Sequence, residues 1–220
     1  RMHNGMTASV LYVYSKSFDD AILGGKGQGA QLIAQDWLHL NAERGPSNFD
    51  QRHVVTVQAQ YSTGVGVKGG ALLRGWKGTA FKGWTLLTQI TTGSGLPETP
   101  TYIQAIQGTG STGVRPDPTG AALYAAPAGR FLNPAAYTAP AYGHWGTAGR
   151  NSIVGPGQFT MNASASRTFH ENLDLRLDAT NALNHVTFTS WNAVVSSSQF
   201  GLPTQANSMR SVQATLRWRF

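Results

Sequence analysis

The 220-residue chain contains no cysteine. That excludes a disulfide framework, a thiolate metal site and a cysteine nucleophile. Charge is also scarce, since Asp, Glu, Lys and Arg together make up 12% of the residues, well under the usual share of a soluble domain. No run approaches the ~18 apolar residues of a transmembrane helix. The opening RMHNGMTASVLYVYSKSF lacks the basic start, continuous apolar stretch and small-residue cleavage site of a signal peptide. It reads as a strand entered in mid-protein, so the chain is expected to be a segment of something longer.

Gly, Thr, Ser, Asn and Gln fill the space that charge leaves, with 26 Gly alone. These are poor helix formers, while an aromatic share of 10% argues against disorder. Many short strands joined by long polar loops fit such a composition. The net charge of +7 comes from 17 basic and 10 acidic residues. The basic residues are scattered, with Lys68, Arg74, Lys77 and Lys82 as the densest group. A nucleic-acid surface concentrates its charge, so no nucleic-acid partner is expected.

Period-2 alternation marks six strands. In the last, Val212, Ala214, Leu216, Trp218 and Phe220 oppose Ser211, Gln213, Thr215, Arg217 and Arg219. Leu173, Leu175, Leu177 and Ala179 alternate with Asn172, Asp174, Arg176 and Asp178. Phe159, Met161, Ala163 and Ala165 form a third apolar row, and Val55, Val57, Ala59 and Tyr61 a fourth. Met6, Ala8, Val10, Tyr12 and Tyr14 give the first strand, and Trp84, Leu86 and Ile90 mark one more around Trp84 to Thr92.

Loop lengths alternate. Long connections over 18–51, 93–157 and 183–210 are separated by shorter ones, including an HE turn at His170 and Glu171. Loops beyond about 15 residues are uncommon in compact domains, whereas outer-membrane barrels combine short periplasmic turns with longer outer loops. With Phe220 at the periplasmic end, every long loop falls outside the cell. Tyr61, Trp84, Phe169, Trp218 and Phe220 then form one aromatic rim, with Tyr14 and Phe159 toward the other. The expected fold is all-β: about six antiparallel up-and-down strands forming part of a transmembrane β-barrel with long outer loops. Six strands fall short of the eight that the smallest such barrels use.

Candidate chemistry is sparse. GVGVKG (Gly64 to Gly69) lacks the acid that a dinucleotide fingerprint needs about 20 residues on, and reads as a turn. Asp19, Asp20, Asp36, Glu43 and Asp50 in the first long loop read as solvated loop charge rather than a cation site or an acid pair. The six histidines show no close metal-ligand spacing. No catalytic residue, metal site or cofactor is assigned. Tyr137, Tyr142, His144 and Trp145, with Trp191 in the next loop, are the candidate ligand contacts. The same rings could instead pack the loops onto the barrel.

The ordered stretches LNAERGPSNFDQRHVV, GWTLLTQITTGSGLPETP, GRFLNPAAYTAPAYGHWGTAGRNSIVGPGQFTMNASASRTF, LDLRLDATNALNHVTF, FGLP and MRSVQATLRWRF extend from about Asn41 to Phe220. Together they resemble the C-terminal barrel of TonB-dependent receptors, in the group with an N-terminal carboxypeptidase-regulatory-like domain. Leu183 departs from the pattern, standing where relatives often carry an aromatic. The resemblance implies that residues 1–220 are the C-terminal segment of an outer-membrane barrel, without the plug and N-terminal domains. It implies a parent that imports a bulky ligand such as a siderophore or oligosaccharide, with TonB engaged only through the plug. Asp174, Arg176, Asp178 and Arg217 would face the lumen. Leu216, Trp218 and Phe220 would form the terminal signal read by the barrel-insertion machinery, with outer-membrane lipid around the barrel. Two other readings stay open. One is a soluble β-rich fragment that binds or hydrolyses carbohydrate, and the other is a surface adhesin or assembly protein built on the same architecture.

Overall fold

A computed structural model describes residues 5–20, 34–64, 75–109, 113–169 and 172–220. In chain order, β1 (Met6–Tyr14) leads through a loop holding β2 (Phe18–Asp19) and β3 (Gly45–Pro46) to β4 (His53–Ser62). A seven-residue helix, α1 (Gly75–Phe81), precedes β5 (Trp84–Gly93). The longest connection carries β6 (Pro97–Glu98), β7 (Asp117–Pro118), β8 (Tyr137–Thr138) and β9 (Ile153–Val154) before β10 (Gln158–Phe169). After β11 (Leu173–Thr180), a last loop with β12 (Phe188–Trp191) and β13 (Pro203–Ala206) reaches β14 (Ser211–Trp218).

The six long strands form one antiparallel sheet in the order β1-β4-β5-β10-β11-β14. Each pairs with the next long strand along the chain, an up-and-down meander. β1 and β14 do not pair with each other, so the barrel is not closed by these six.

Register decides which side chains share a face, because a slip of one residue would send each to the opposite side. Val10 lies opposite Val57, Val57 opposite Ile90, and Ile90 opposite Met161. Farther across, Ala163 faces Ala179 and Ala179 faces Val212. All six apolar rows expected from alternation thus meet on one face. The other face carries Gln58 opposite Gln89, Gln89 opposite Asn162, and Asp178 opposite Gln213.

Aromatic side chains gather at both ends of the apolar face. Tyr61, Trp84, Phe169 and Trp218 sit at the strand ends away from the long loops. At the loop end the Tyr12 hydroxyl and His53 Nδ1 share a 2.9 Å hydrogen bond, and the Phe159 and His185 rings meet edge to face at 5.2 Å.

The six strands contain no fully buried residue. Val10 is 70% exposed and Leu216 68%. Among the described residues the buried apolar side chains are Ile106, Val114, Leu132, Ala136, Ala148, Ile153 and Phe200, all from the second and third long loops. The loops form a cap with its own core, and the sheet has none.

One element departs from the expectation of strands and turns. α1 forms between β4 and β5, in a glycine-rich stretch that reads as a turn. A helix this short cannot hold itself together in isolation. Here the Arg167 guanidinium donates to the carbonyls of Ala80 and Thr79, and the Trp84 indole N–H donates to Ala80 at 3.0 Å. These side chains satisfy carbonyls that a helix end leaves open. Residues 65–69 of the glycine-rich stretch, the turn at His170 and Glu171, and Lys68 and Arg74 lie outside the described residues.

Candidate functional site

The cap begins with a clamp between the first and second long loops. Glu43 ends a 3-10 turn over Leu40–Glu43, and Arg115 approaches it from 72 positions along the chain. The guanidinium donates two hydrogen bonds of 3.0 Å to the carboxylate, and both side chains are buried. Gln35 completes the joint. Its side-chain oxygen accepts from the Arg115 N–H at 2.6 Å, and its amide group donates to the Gly146 carbonyl at 2.9 Å. Only glycine fits at 146, since a Cβ there would lie 1.8 Å from the Arg115 carbonyl oxygen. Arg150 adds a second tie, donating to the Glu43 carbonyl at 2.6 Å and to the carbonyl and carboxylate of Asp19.

Glu43 and Asp50 are therefore not the solvated charge their sequence suggests. Glu43 is 4% exposed and Asp50 5%. Asp50 accepts from the Ser17 N–H at 2.8 Å and lies 3.5 Å from Arg52. Burial pushes the Asp19 carboxyl up, but hydrogen bonds from Ser47 and Arg150 and the charge of Arg150 outweigh it and hold the group below the ordinary carboxylate range. Asp36 accepts from the Leu38 N–H and bonds His39, while Asp20 stays exposed. The partners that bury Glu43 and Asp19 lie 72 and 131 positions away. Local spacing cannot reveal them.

The second and third loops join through an apolar centre. Leu132, Ile153 and Phe200 cluster at 1% exposure or less, with Leu123, Tyr137, Trp191, Ala193 and Val195 packed around them. Gly201, at φ +76°, brings its backbone against Leu132, where a Cβ would lie 2.8 Å away. Arg130 donates to the carbonyls of Phe200 and Ser198 at 2.5 and 2.6 Å. Beside this core, the Glu98 carboxylate accepts from the Trp191 N–H at 3.0 and 3.2 Å. Burial pushes the Glu98 carboxyl up to about 7 against that bond.

The five candidate ligand contacts divide between two places. Trp191 stacks on Phe131 with centroids 4.3 Å apart, and Tyr137 meets Phe200 edge to face. Tyr137 also lines an open cavity of about 200 Å³ with Leu123, Ala136, Ala148 and Ser152. Tyr142, 78% exposed, lies with exposed His144 and half-buried Trp145 on a separate turn. The structure thus uses two of the rings for loop packing and leaves two of the remaining side chains at the surface.

Asp174, Arg176, Asp178 and Arg217 share the polar face of the sheet. Asp174 lies opposite Arg217 and accepts from Thr168 at 2.7 Å. Arg176 donates to Asp178 at 2.8 Å. Leu216 and Trp218 lie exposed on β14, with Phe220 just beyond it. Leu183 is exposed in the turn after β11. Among the described residues no group of three or more His, Asp and Glu side chains could hold a metal.

A family model described as an outer membrane beta barrel domain matches residues 1–213. No curated protein and no solved structure matches the chain.

Proposed function

The chain belongs to the outer membrane beta barrel domain family and so to the bacterial outer membrane. From that premise we propose that it is the C-terminal barrel segment of a TonB-dependent receptor importing a bulky ligand such as a siderophore or an oligosaccharide. The observation that carries this reading is the cap: three long loops at one end of the sheet, braced by two buried arginines and an apolar core. A receptor needs an ordered outer vestibule, and loops held this way supply one. The ordered run of motifs from Asn41 to Phe220 adds the resemblance to the receptor family.

In this reading the apolar face meets lipid. The polar face, with Asp174, Arg176, Asp178 and Arg217, lines the lumen or meets a plug domain. Tyr142, His144 and Trp145 contact the ligand directly, while Tyr137 and Trp191 shape the surface beneath. Leu216, Trp218 and Phe220 engage the barrel-insertion machinery. TonB acts through the plug and not through these residues. A soluble carbohydrate-binding fragment would need a second layer over the apolar face, and among the described residues that face is uncovered.

Uptake is the test. Cells with the protein, without it, and with it but lacking TonB are compared for accumulation of labelled ferric siderophores and oligosaccharides. Accumulation that requires both components is expected. Uptake indifferent to TonB would sink the receptor reading while leaving the outer-membrane barrel in place.

A further inference from the structure

α1 stands outside the sheet, and its attachments show on which side. Arg167 lies opposite Trp84, in the same apolar register as Ala165 and Leu86. Both side chains reach the last carbonyls of α1, at Thr79 and Ala80. The Thr63 hydroxyl ties the Phe81 carbonyl to the hairpin. The C-terminal turn of the helix is therefore clamped to the apolar rim of the sheet, at the end away from the long loops, with Gly78 buried.

The helix turns aromatic residues outward. Trp76 is 75% exposed and Phe81 52%, beside exposed Lys82. The sequence RGWKGTAFKGW interleaves basic positions 74, 77 and 82 with aromatic positions 76, 81 and 84. Two large rings exposed to water on a seven-residue helix are a liability for a soluble surface. At the edge of a bilayer the same combination is favourable, because rings settle at headgroup level and cations meet phosphate. The rings also extend the rim of Tyr61, Trp84, Phe169 and Trp218, which borders the apolar sheet face. The long loops mark the opposite end as the outer one, so this rim meets the periplasmic leaflet.

We propose that α1 is a membrane-interface anchor lying at the headgroup level of the periplasmic leaflet, with Trp76 and Phe81 set into the lipid and Lys82 facing anionic phospholipid. Aromatic girdles flank the apolar band of such barrels at both interfaces. Here a helix is fastened to the girdle through its own backbone carbonyls, and it broadens the lipid contact beyond the wall of strands. The anchor sets the height of the barrel in the membrane. This inference rests on the assignment of the apolar face to lipid.

The cysteine-free chain makes the test direct. Trp76→Cys and Phe81→Cys each carry a single nitroxide, with Val57→Cys as the apolar-face control and Tyr142→Cys as the outer-loop control. The full chain is refolded into vesicles of phosphatidylethanolamine and phosphatidylglycerol. Collision with oxygen, which favours lipid, is compared with collision with a water-soluble nickel complex. The expected oxygen-to-nickel ratio at 76 and 81 lies several-fold above that at 142 and below that at 57. A ratio at 76 and 81 equal to that at 142 would overturn the anchor while leaving the lipid-facing sheet intact, provided Val57 reports lipid. A ratio as high as that at 57, or shielding from both reagents, would also overturn it. Water access at 57 would remove the premise itself.

Discussion

Replacing Glu43 with glutamine should open the cap without disturbing the sheet. Glu43 and Arg115 side chains are only 5% and 6% exposed, and the carboxylate is the sole anion bonded to the Arg115 guanidinium among the described residues. The Glu43 carboxylate also accepts from the Gln35 backbone N–H at 3.1 Å; glutamine preserves volume and keeps an oxygen for that bond, so Glu43→Gln isolates the loss of charge. It strands a buried cation whose Nε already lacks a partner among the described residues. Breaking a buried pair from one side costs roughly 3–5 kcal/mol. At the lower end, cap amides should exchange about 100-fold faster with solvent deuterium. Arg115→Met should cost a similar amount, because it leaves the carboxylate unpaired. The double variant removes both charges and should recover much of the loss, with a coupling energy of about 2 kcal/mol or more. Hydrogen exchange by mass spectrometry on the full chain in vesicles, followed at 43–50 and 113–118, reads all three. Single variants costing under about 1 kcal/mol, in the range of exposed pairs, would refute the clamp. So would strict additivity in the double variant.

Three further outcomes are expected. Glu98 is raised from 4.5 to about 7, so the unfolded state ionises first as pH rises and the cap loses stability between about 4.5 and 7. After allowance for solvent screening the loss is roughly 2 kcal/mol. Protection at 188–206, corrected for intrinsic exchange, should be greater at pH 4.5 than at pH 7.5, and Glu98→Gln should flatten the profile; an unchanged slope would remove Glu98 as its source. Leu132→Ala should cost about 3 kcal/mol in protection at 131–133 and 199–202, leaving β10 and β11 unaffected; equal loss in the strands would mean that cap and sheet open together. Val57→Arg should lower folding stability in vesicles by about 2–4 kcal/mol, while Gln58→Arg on the opposite face should be close to neutral; the reverse order would invert the two faces.

The sheet was legible in the sequence because its information is local. Alternation at Leu173, Leu175 and Leu177 names a face without reference to any partner, and antiparallel neighbours need only short turns or loops that return to the adjacent strand. The aromatic rims followed from the same alternation. The cap was not legible. Leu132, Ile153 and Phe200 sit as lone apolar residues in GRFLNP, NSIVGP and SSQFGLP, with no period to join them. Arg115 and Arg150 carry no local sign of the distant acids they bind. α1 was missed for another reason: GWKGTAF has the glycine content of a turn, and its helical form depends on Arg167, which lies on another strand. Tyr137 and Trp191 were singled out for their chemistry, but which rings would pack and which would stay at the surface depended on the fold of the loops.

A core built within the long loops has a consequence for assembly. In the proposed orientation, with insertion from the periplasmic side, residues 94–157 and 181–210 would have to cross the bilayer before Leu132, Ile153 and Phe200 could meet. The cap can condense only after the crossing is complete. Any retreat would first have to break it open, including the Arg115 and Arg150 ties. On that route the cap would work as a latch against retreat. Its strength should be measurable as a slower extraction rate for the native chain than for Leu132→Ala.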